Sequence, residues 1–332
     1  MKKIIALFLL CGILLLSFIA CENNANENNE NETIKNGNDT NGDSSDVGST
    51  DNKDATETLK ETPASDFEYT VSSSGKSVFI TKHIGNSEEV VIPSEIEDLP
   101  VIQIKSGAFE NSIVKNVVLP KTVTGIGGAF KNCTSLSSVT IPQDSELYII
   151  GQSAFENCTS LKTINLEVAE KLTTIEGKAF RNCSSIEEII LPKNLKDVYA
   201  EAFSNCSSLK SVTISSELKY AGGIGVPLGV PFYDNPAIEK IIFTDGIQTI
   251  NAYANFGITS EAEIIIPKSV KTFESDTFFI YAPTKFTFLG DCPENELTLF
   301  AGEHPIIICY NPNTDGWDTC VWKDKYTFVP ME

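Results

Sequence analysis

AFENCTSLKTINL, residues 154–166, decides the fold, because the chain writes this string four times. The near-copies are AFKNCTSLSSVTI (129–141), AFRNCSSIEEIIL (179–191) and AFSNCSSLKSVTI (202–214). Aligned on the Ala-Phe pair, Phe109, Phe130, Phe155, Phe180 and Phe203 stand 21, 25, 25 and 23 residues apart. Looser copies follow at Phe232, Phe256 and Phe278. Two more patterns run in step. The first is an apolar residue, two polar ones, then apolar-x-apolar, often closed by proline. It occurs as LSSVTIP (136–142), LKTINL (161–166), IEEIILP (186–192), LKSVTI (209–214), IEKIIF (238–243) and EAEIIIP (261–267). The second precedes each Phe, as VIQI (101–104), VTGI (123–126), LYII (147–150), LTTI (172–175) and LKDV (195–198).

An apolar-x-apolar unit is a short strand whose alternate side chains share one face. Proline after it ends ladder pairing. A unit of about 23 residues cannot bury its own apolar face, whereas stacked units share a continuous core. The spacing therefore predicts a β-rich solenoid, and roughly eight rungs at ~4.8 Å make a body about 38 Å long.

Within the string, Phe and Ala serve as large and small core fillers. Asn suits a turn, where it can bond backbone groups left unpaired by its neighbours. Cys points inward as a small hydrophobe, so Cys133, Cys158, Cys183 and Cys206 are expected as a buried thiol column. Their spacing fits no zinc pattern, and parallel side chains on stacked rungs meet disulfide geometry poorly. Asn-Cys-Thr/Ser at 132, 157, 182 and 205 formally fits a glycosylation sequon. Ladder asparagines buried on folding would not carry glycans, so the match reads as accidental.

The consensus I-G-x-x-A-F-x-N-C-x-S-L-x-x-V-x-I-P resembles the leucine-rich repeat of BspA-type bacterial surface proteins, over about residues 84–290. Residues 67–104 (FEYTVSSSGKSVFITKHIGNSEEVVIPSEIEDLPVIQI) resemble the opening hairpin and first rung of that family. KFTFLGDCPENELTLF and IIICYNPNTDGWDTCVWKDKYTFVP, within 285–330, resemble its closing segment. The resemblance thus implies leucine-rich repeats of about 23 residues, an N-terminal hairpin cap and a C-terminal β cap. Departures fall at 216–262, where YAGGIGVPLGVPFYDN adds residues and ANFGI replaces the Ala-Phe-x-Asn-Cys string; a bulge or protruding loop is expected there.

The N-terminus has its own logic. Lys2 and Lys3 precede an apolar run from Ile4 to Ala20, then Cys21. The run is short for a spanning helix, which wants ~20 apolar residues, and it reads as a secretory signal over residues 1–20. SFIAC (17–21) resembles the lipobox of bacterial lipoproteins, although Phe18 stands where leucine is usual. That resemblance implies acylation of the Cys21 thiol; a plain cleaved signal and an uncleaved anchor remain open. Residues 21–66 carry almost no large apolar side chains, and from 22 onward hold twelve acids against three lysines. Such a segment buries too little to offset its ordering entropy, so a flexible acidic tether is expected, spanning ~37 Å root-mean-square for 45 residues. The folded region is expected over 67–332.

Composition removes several functions. A net charge of −20 argues against nucleic acid, since a phosphate backbone demands a basic face. With only His83 and His304 present, metal centres and histidine bases have few donors, and no metal or cofactor is expected. Gly-x-Ser-x-Gly is absent, and YAGGIGVPLG (220–229) lacks the lysine and helix of a phosphate loop. His304 with Cys309 is the one conceivable nucleophile pair. Cys292, Cys309 and Cys320 lie outside the thiol column and are read as packing or as a capping disulfide with three pairings open.

The exposed strand face is the binding candidate. In each L-x-x-V-x-I unit the x positions face solvent: Ser137, Ser138 and Thr140; Lys162, Thr163 and Asn165; Glu187, Glu188 and Ile190; Lys210, Ser211 and Thr213; Glu239, Lys240 and Ile242. Ile190 and Ile242 are apolar where water is expected, as a partner anchor or as ordinary strand propensity. Resemblance to BspA-type proteins implies a non-enzymatic adhesin at the bacterial cell envelope. It would be lipid-anchored in the outer membrane and surface-exposed, and would bind host matrix proteins, host cell-surface proteins or other bacteria. The alternative is a structural envelope protein that organises neighbouring membrane components.

Overall fold

The computed structural model describes residues 60–218, 220–221, 231–250, 261–274, 278–279, 282, 284–295, 299–300 and 304–332. They belong to one compact unit, Glu57–Glu332. Residues 1–20, Cys21, the tether as far as residue 59, and the Phe256 copy lie outside the described residues, as does the side chain of Phe278.

The unit is a β-solenoid of about nine turns with almost no helix. One sheet opens with the antiparallel hairpin Phe67–Val71 and Val78–His83. It continues in parallel through Leu99–Ile104, Gly125–Ile126, Ile149–Ile150, Thr174–Ile175, Asp197–Val198 and Tyr220–Ala221. These are the strands that precede each Phe. The L-x-x-V-x-I strands form two further parallel sheets. The first holds Glu89–Val91, Asn116–Val118, Ser138–Thr140 and Thr163–Ile164. The second holds Glu188–Leu191, Ser211–Ile214, Lys240–Phe243, Ala262–Ile266, Thr284–Phe288, Ile306–Tyr310 and Thr327–Pro330.

The phenylalanines form a single column. Phe109, Phe130, Phe155, Phe180, Phe203 and Phe232 stack face to face with centroids 4.7–5.2 Å apart. All six are essentially inaccessible to water. Each burial contributes about 1.5–3 kcal/mol, and each aromatic pair adds about 0.5–1.5 kcal/mol. Backbone bonds fix the rise: Phe130 N–H donates to Ala154 O at 2.8 Å, Phe155 to Ala179 at 2.7 Å and Phe180 to Ala202 at 2.7 Å. His83 opens the column, its ring 4.9 Å from that of Phe109. At the other end Phe288, Trp317, Trp322 and Phe328 pack edge-on and tilted around one another.

The Asn-Cys pair does more than the string suggests. Asn132, Asn157, Asn182 and Asn205 all have φ near +60°, a left-handed conformation that Asn tolerates better than other residues bearing a Cβ. Their side chains bond to each other, Asn157 to Asn132 and Asn182 to Asn157, each at 2.7 Å. Asn235, in the looser copy, bonds backbone groups as expected, at Cys206 N, Phe203 O and Phe232 O. The four sequon asparagines are half-buried, not buried; the amides of Asn157 and Asn182 are committed along the ladder. The four cysteines are free and fully buried. Each thiol donates to the carbonyl of the Phe one turn back: Cys133 to Phe109, Cys158 to Phe130, Cys183 to Phe155 and Cys206 to Phe180, at 2.8–3.2 Å. Burial pushes the Cys206 thiol up to about 12 and Cys183 well above its ordinary range.

The folded unit begins before residue 67. Thr62 N–H donates to Val91 O at 2.8 Å and its hydroxyl accepts from Val91 N at 3.0 Å. Glu61 accepts from the backbone and hydroxyl of Ser94. The acidic composition of the tether hid these contacts, because they use backbone and short polar groups instead of apolar burial.

Candidate functional site

Parallel pairing turns the alternation of each strand into rows that run across the sheet. On the outer face of the seven-stranded sheet one row is Glu188, Ser211, Lys240, Glu263, Lys285, Ile307 and Thr327. Its neighbour is Ile190, Thr213, Ile242, Ile265, Thr287, Cys309 and Val329, by the same register. The inward positions between them, such as Ile189, Val212, Ile241, Ile264, Phe286 and Ile308, are fully buried.

The first row alternates in charge from Lys240 through Glu263 to Lys285. Lys285 Nζ lies 2.9 Å from Glu263 Oε1, which also accepts from Thr287 Oγ1 at 2.6 Å. The Thr287 bond, with Lys285 beside it, holds the Glu263 carboxyl below its ordinary range. One residue earlier in each strand, Glu187 and Lys210 pair at 2.8 Å, and the pair lowers the first group and raises the second. All ion pairs among the described residues join neighbouring turns. Exposed pairs contribute about 0–1 kcal/mol each, so this ladder sets surface character and register more than stability.

The second row is an apolar strip. Ile190 and Ile242 are half-buried by their row neighbours, a placement intermediate between a free anchor and core. The strip is buried at Thr287 and Cys309 and opens at the last strand: Val329 is 42% exposed, and Ile307 in the adjacent row 40%. Next to it a shallow depression of about 340 Å³ is lined by Glu239, Glu261, Lys285, Pro305 and Ile307, among others.

The expected binding residues divide between two sheets. Glu187, Glu188, Ile190, Lys210, Ser211, Thr213, Glu239, Lys240 and Ile242 lie together on or beside the seven-stranded face. Lys162 and Thr163 are exposed at the edge of the other sheet. Asn165 spends its side chain on Ile141, accepting from its N–H at 2.8 Å and donating to its carbonyl at 2.9 Å. The chain then turns through a short 3-10 segment, Leu166–Val168. The two outer sheets therefore part between Ile164 and Glu188. Sequence reading stopped short of Glu263, Ile265, Lys285, Thr287, Ile307 and Val329. EAEIIIP, KFTF, IIICY and TFVP all alternate as the earlier units do, and that signal places them on the same face.

The conceivable thiol nucleophile does not have the required environment. Burial raises the Cys309 thiol, with Lys285 opposing, whereas a reactive cysteine needs a lowered pKa. His304 is exposed, ahead of the strand that carries Cys309. Among the described residues no group of three or more His, Cys, Asp or Glu is arranged to hold a metal ion.

Comparison with known proteins follows the same lines. The BspA type leucine rich repeat region matches residues 102–223 and 230–307, in six copies. A Treponema pallidum leucine-rich repeat protein is 24% identical over 69% of this chain and 86% of its own, with a TM-score of 0.42. A leucine-rich cell surface protein from Faecalibacterium prausnitzii A2-165 is 18% identical over 84% and 96%, with a TM-score of 0.41. A leucine-rich repeat protein from Bacteroides ovatus ATCC 8483 is 22% identical over 74% and 70%, with a TM-score of 0.49. A search of curated proteins finds no match.

Proposed function

This chain belongs to the BspA type leucine-rich repeat family, and from that membership we propose that it is a cell-surface lipoprotein that binds other proteins non-covalently, as an adhesin. Host matrix proteins, host cell-surface proteins or other bacterial surfaces are the partners. The single observation that supports this reading is the outer face of the seven-stranded sheet. A row with alternating charge at Lys240, Glu263 and Lys285 runs there beside a largely apolar strip that holds Ile190, Ile242, Ile265 and Val329. Extended repeat surfaces commonly bind partners, and a mixed apolar and charged patch is the usual anatomy of a protein interface. The role needs no cofactor and no catalytic residue. In this reading residues 1–20 direct export, acylated Cys21 anchors the chain, and the acidic segment lifts the solenoid from the bilayer. Each buried acyl CH₂ contributes about 0.8 kcal/mol to the anchor.

Protease treatment of intact cells tests the reading. An adhesin loses its solenoid to the protease. Complete protection overturns the surface role and leaves a structural envelope protein that organises neighbouring membrane components. Cys21→Ala is expected to release the protein from membranes, and unchanged partitioning refutes acylation.

A further inference from the structure

The depression on the outer face is lined by two unlike walls. On one side Glu239, Glu261 and Glu263 stand against a single lysine, Lys285. Lys285 and Glu263 neutralise each other at 2.9 Å, and Glu263 also accepts from Thr287. Glu239 and Glu261 are exposed, and among the described residues neither side chain joins an ion pair or a hydrogen bond. The nearby lysines are otherwise engaged: Lys210 pairs with Glu187, and Lys240 stands beside Glu263 in the row. On the other side Pro305 and Ile307 form an exposed apolar wall. Glu261 and Pro305 directly precede Ala262–Ile266 and Ile306–Tyr310, with Thr284–Phe288 paired between these two strands. Two strand spacings make the gap between the walls roughly 10 Å.

We propose that this depression seats an extended basic segment of the partner protein, with a lysine or arginine against Glu239 and Glu261 and an aliphatic side chain on Pro305 and Ile307. The inference rests on the reading of the outer face as the binding surface, and it names the chemistry of what binds there. Two carboxylates without a partner attract a cation and repel an acidic segment. Lysine and arginine also lay their methylene stems along apolar surface while the charged head stays in polar surroundings. In an extended chain, side chains two residues apart share a face at about 6.8 Å. A basic and an aliphatic residue at that spacing therefore reach both walls. A second copy of this chain is a poor occupant. It would bring the same glutamates and a net charge of −20 toward an identical charge, which favours separate molecules.

The full chain is titrated with a fluorescent, amidated peptide that repeats Arg-Ser-Leu-Ser, and anisotropy is followed. The expected result is saturable binding that weakens as ionic strength rises, and no binding of the same peptide with glutamate in place of arginine. The double variant Glu239→Gln, Glu261→Gln is expected to lose about tenfold in affinity, and Ile307→Ser a similar factor. Glu146→Gln with Glu170→Gln removes the same charge outside the depression and is expected to bind as the wild type does. The peptide needs no host surface, so these outcomes stand even where the adhesin role fails. Wild-type affinity in the Glu239, Glu261 variant or in Ile307→Ser overturns the inference, as do equal losses in the two double variants or no binding by the wild type. A wild-type chain that sediments as a dimer, and as a monomer once Ile307→Ser is introduced, assigns the depression to a second copy and overturns it as well.

Discussion

Asn157 donates its side-chain amide to the side-chain carbonyl of Asn132 at 2.7 Å, while its own carbonyl accepts from Asn182 at the same distance. Both bonds depend on a backbone φ of +65° at Asn157. Ala at this position is expected to cost about 2 kcal/mol, since a Cβ in the left-handed region costs ~1–2 kcal/mol and neighbouring amides lose a partner. Gly keeps the conformation and loses only the bonds, at about 1 kcal/mol. Denaturant titration of the two variants measures the split. Equal losses would mean that conformation plays no part.

Phe155 lies between Phe130 and Phe180, at 5.2 and 5.1 Å, with no access to water. Phe155→Ala removes one member of the column and leaves a cavity that flanking rungs cannot close without breaking their backbone ladder. The expected cost is about 3–5 kcal/mol, read from the unfolding midpoint. A negligible shift would contradict the shared core.

His83 titrates where few other groups do. Burial lowers its pKa from the ordinary 6.5, with Asp66 opposing. Its ring meets Phe67 and Phe109, and Asp66 and His83 both crowd the Cα of Gly85. A base whose folded pKa is depressed binds its proton more readily when unfolded. Stability is therefore complete above 6.5 and falls as pH drops below that value toward the folded pKa. His83→Phe, which extends the aromatic column by one ring, is expected to flatten this acid limb. Chemical unfolding between pH 7 and pH 5 measures it, and an unchanged slope in the variant assigns the limb elsewhere.

The repeats were legible because a string copied at near-constant spacing has one economical packing, and Phe130, Phe155, Phe180 and Phe203 adopt it. Other features carry no periodic signal. The two outer sheets part where the Asn165 side chain bonds back to Ile141 and the chain enters the 3-10 segment Leu166–Val168. The bonds from each thiol to a Phe carbonyl follow from stacking geometry, and residue type alone suggests only a small hydrophobe. Thr62 joins the fold through two hydrogen bonds with Val91, which composition counted as tether. The binding face was legible where the unit is L-x-x-V-x-I. It was missed at Glu263, Lys285 and Ile307, where the leading apolar residue is absent and only the alternation persists.

The Glu187–Lys210 pair is exposed and bridges two turns at 2.8 Å. Lys210→Glu is expected to leave the unfolding midpoint close to that of the wild type while reversing a charge at the edge of the outer face. A clear drop in the midpoint would make the ion ladder structural.

Binding of the full-length protein to immobilised host matrix proteins tests the central claim most directly, with Ile190→Asp and Ile242→Asp compared against the wild type by surface plasmon resonance. The account predicts saturable binding by the wild type. It also predicts at least a tenfold loss in each variant, about 1.4 kcal/mol, with circular dichroism and unfolding midpoints close to those of the wild type. Wild-type affinity retained by both folded variants would contradict it.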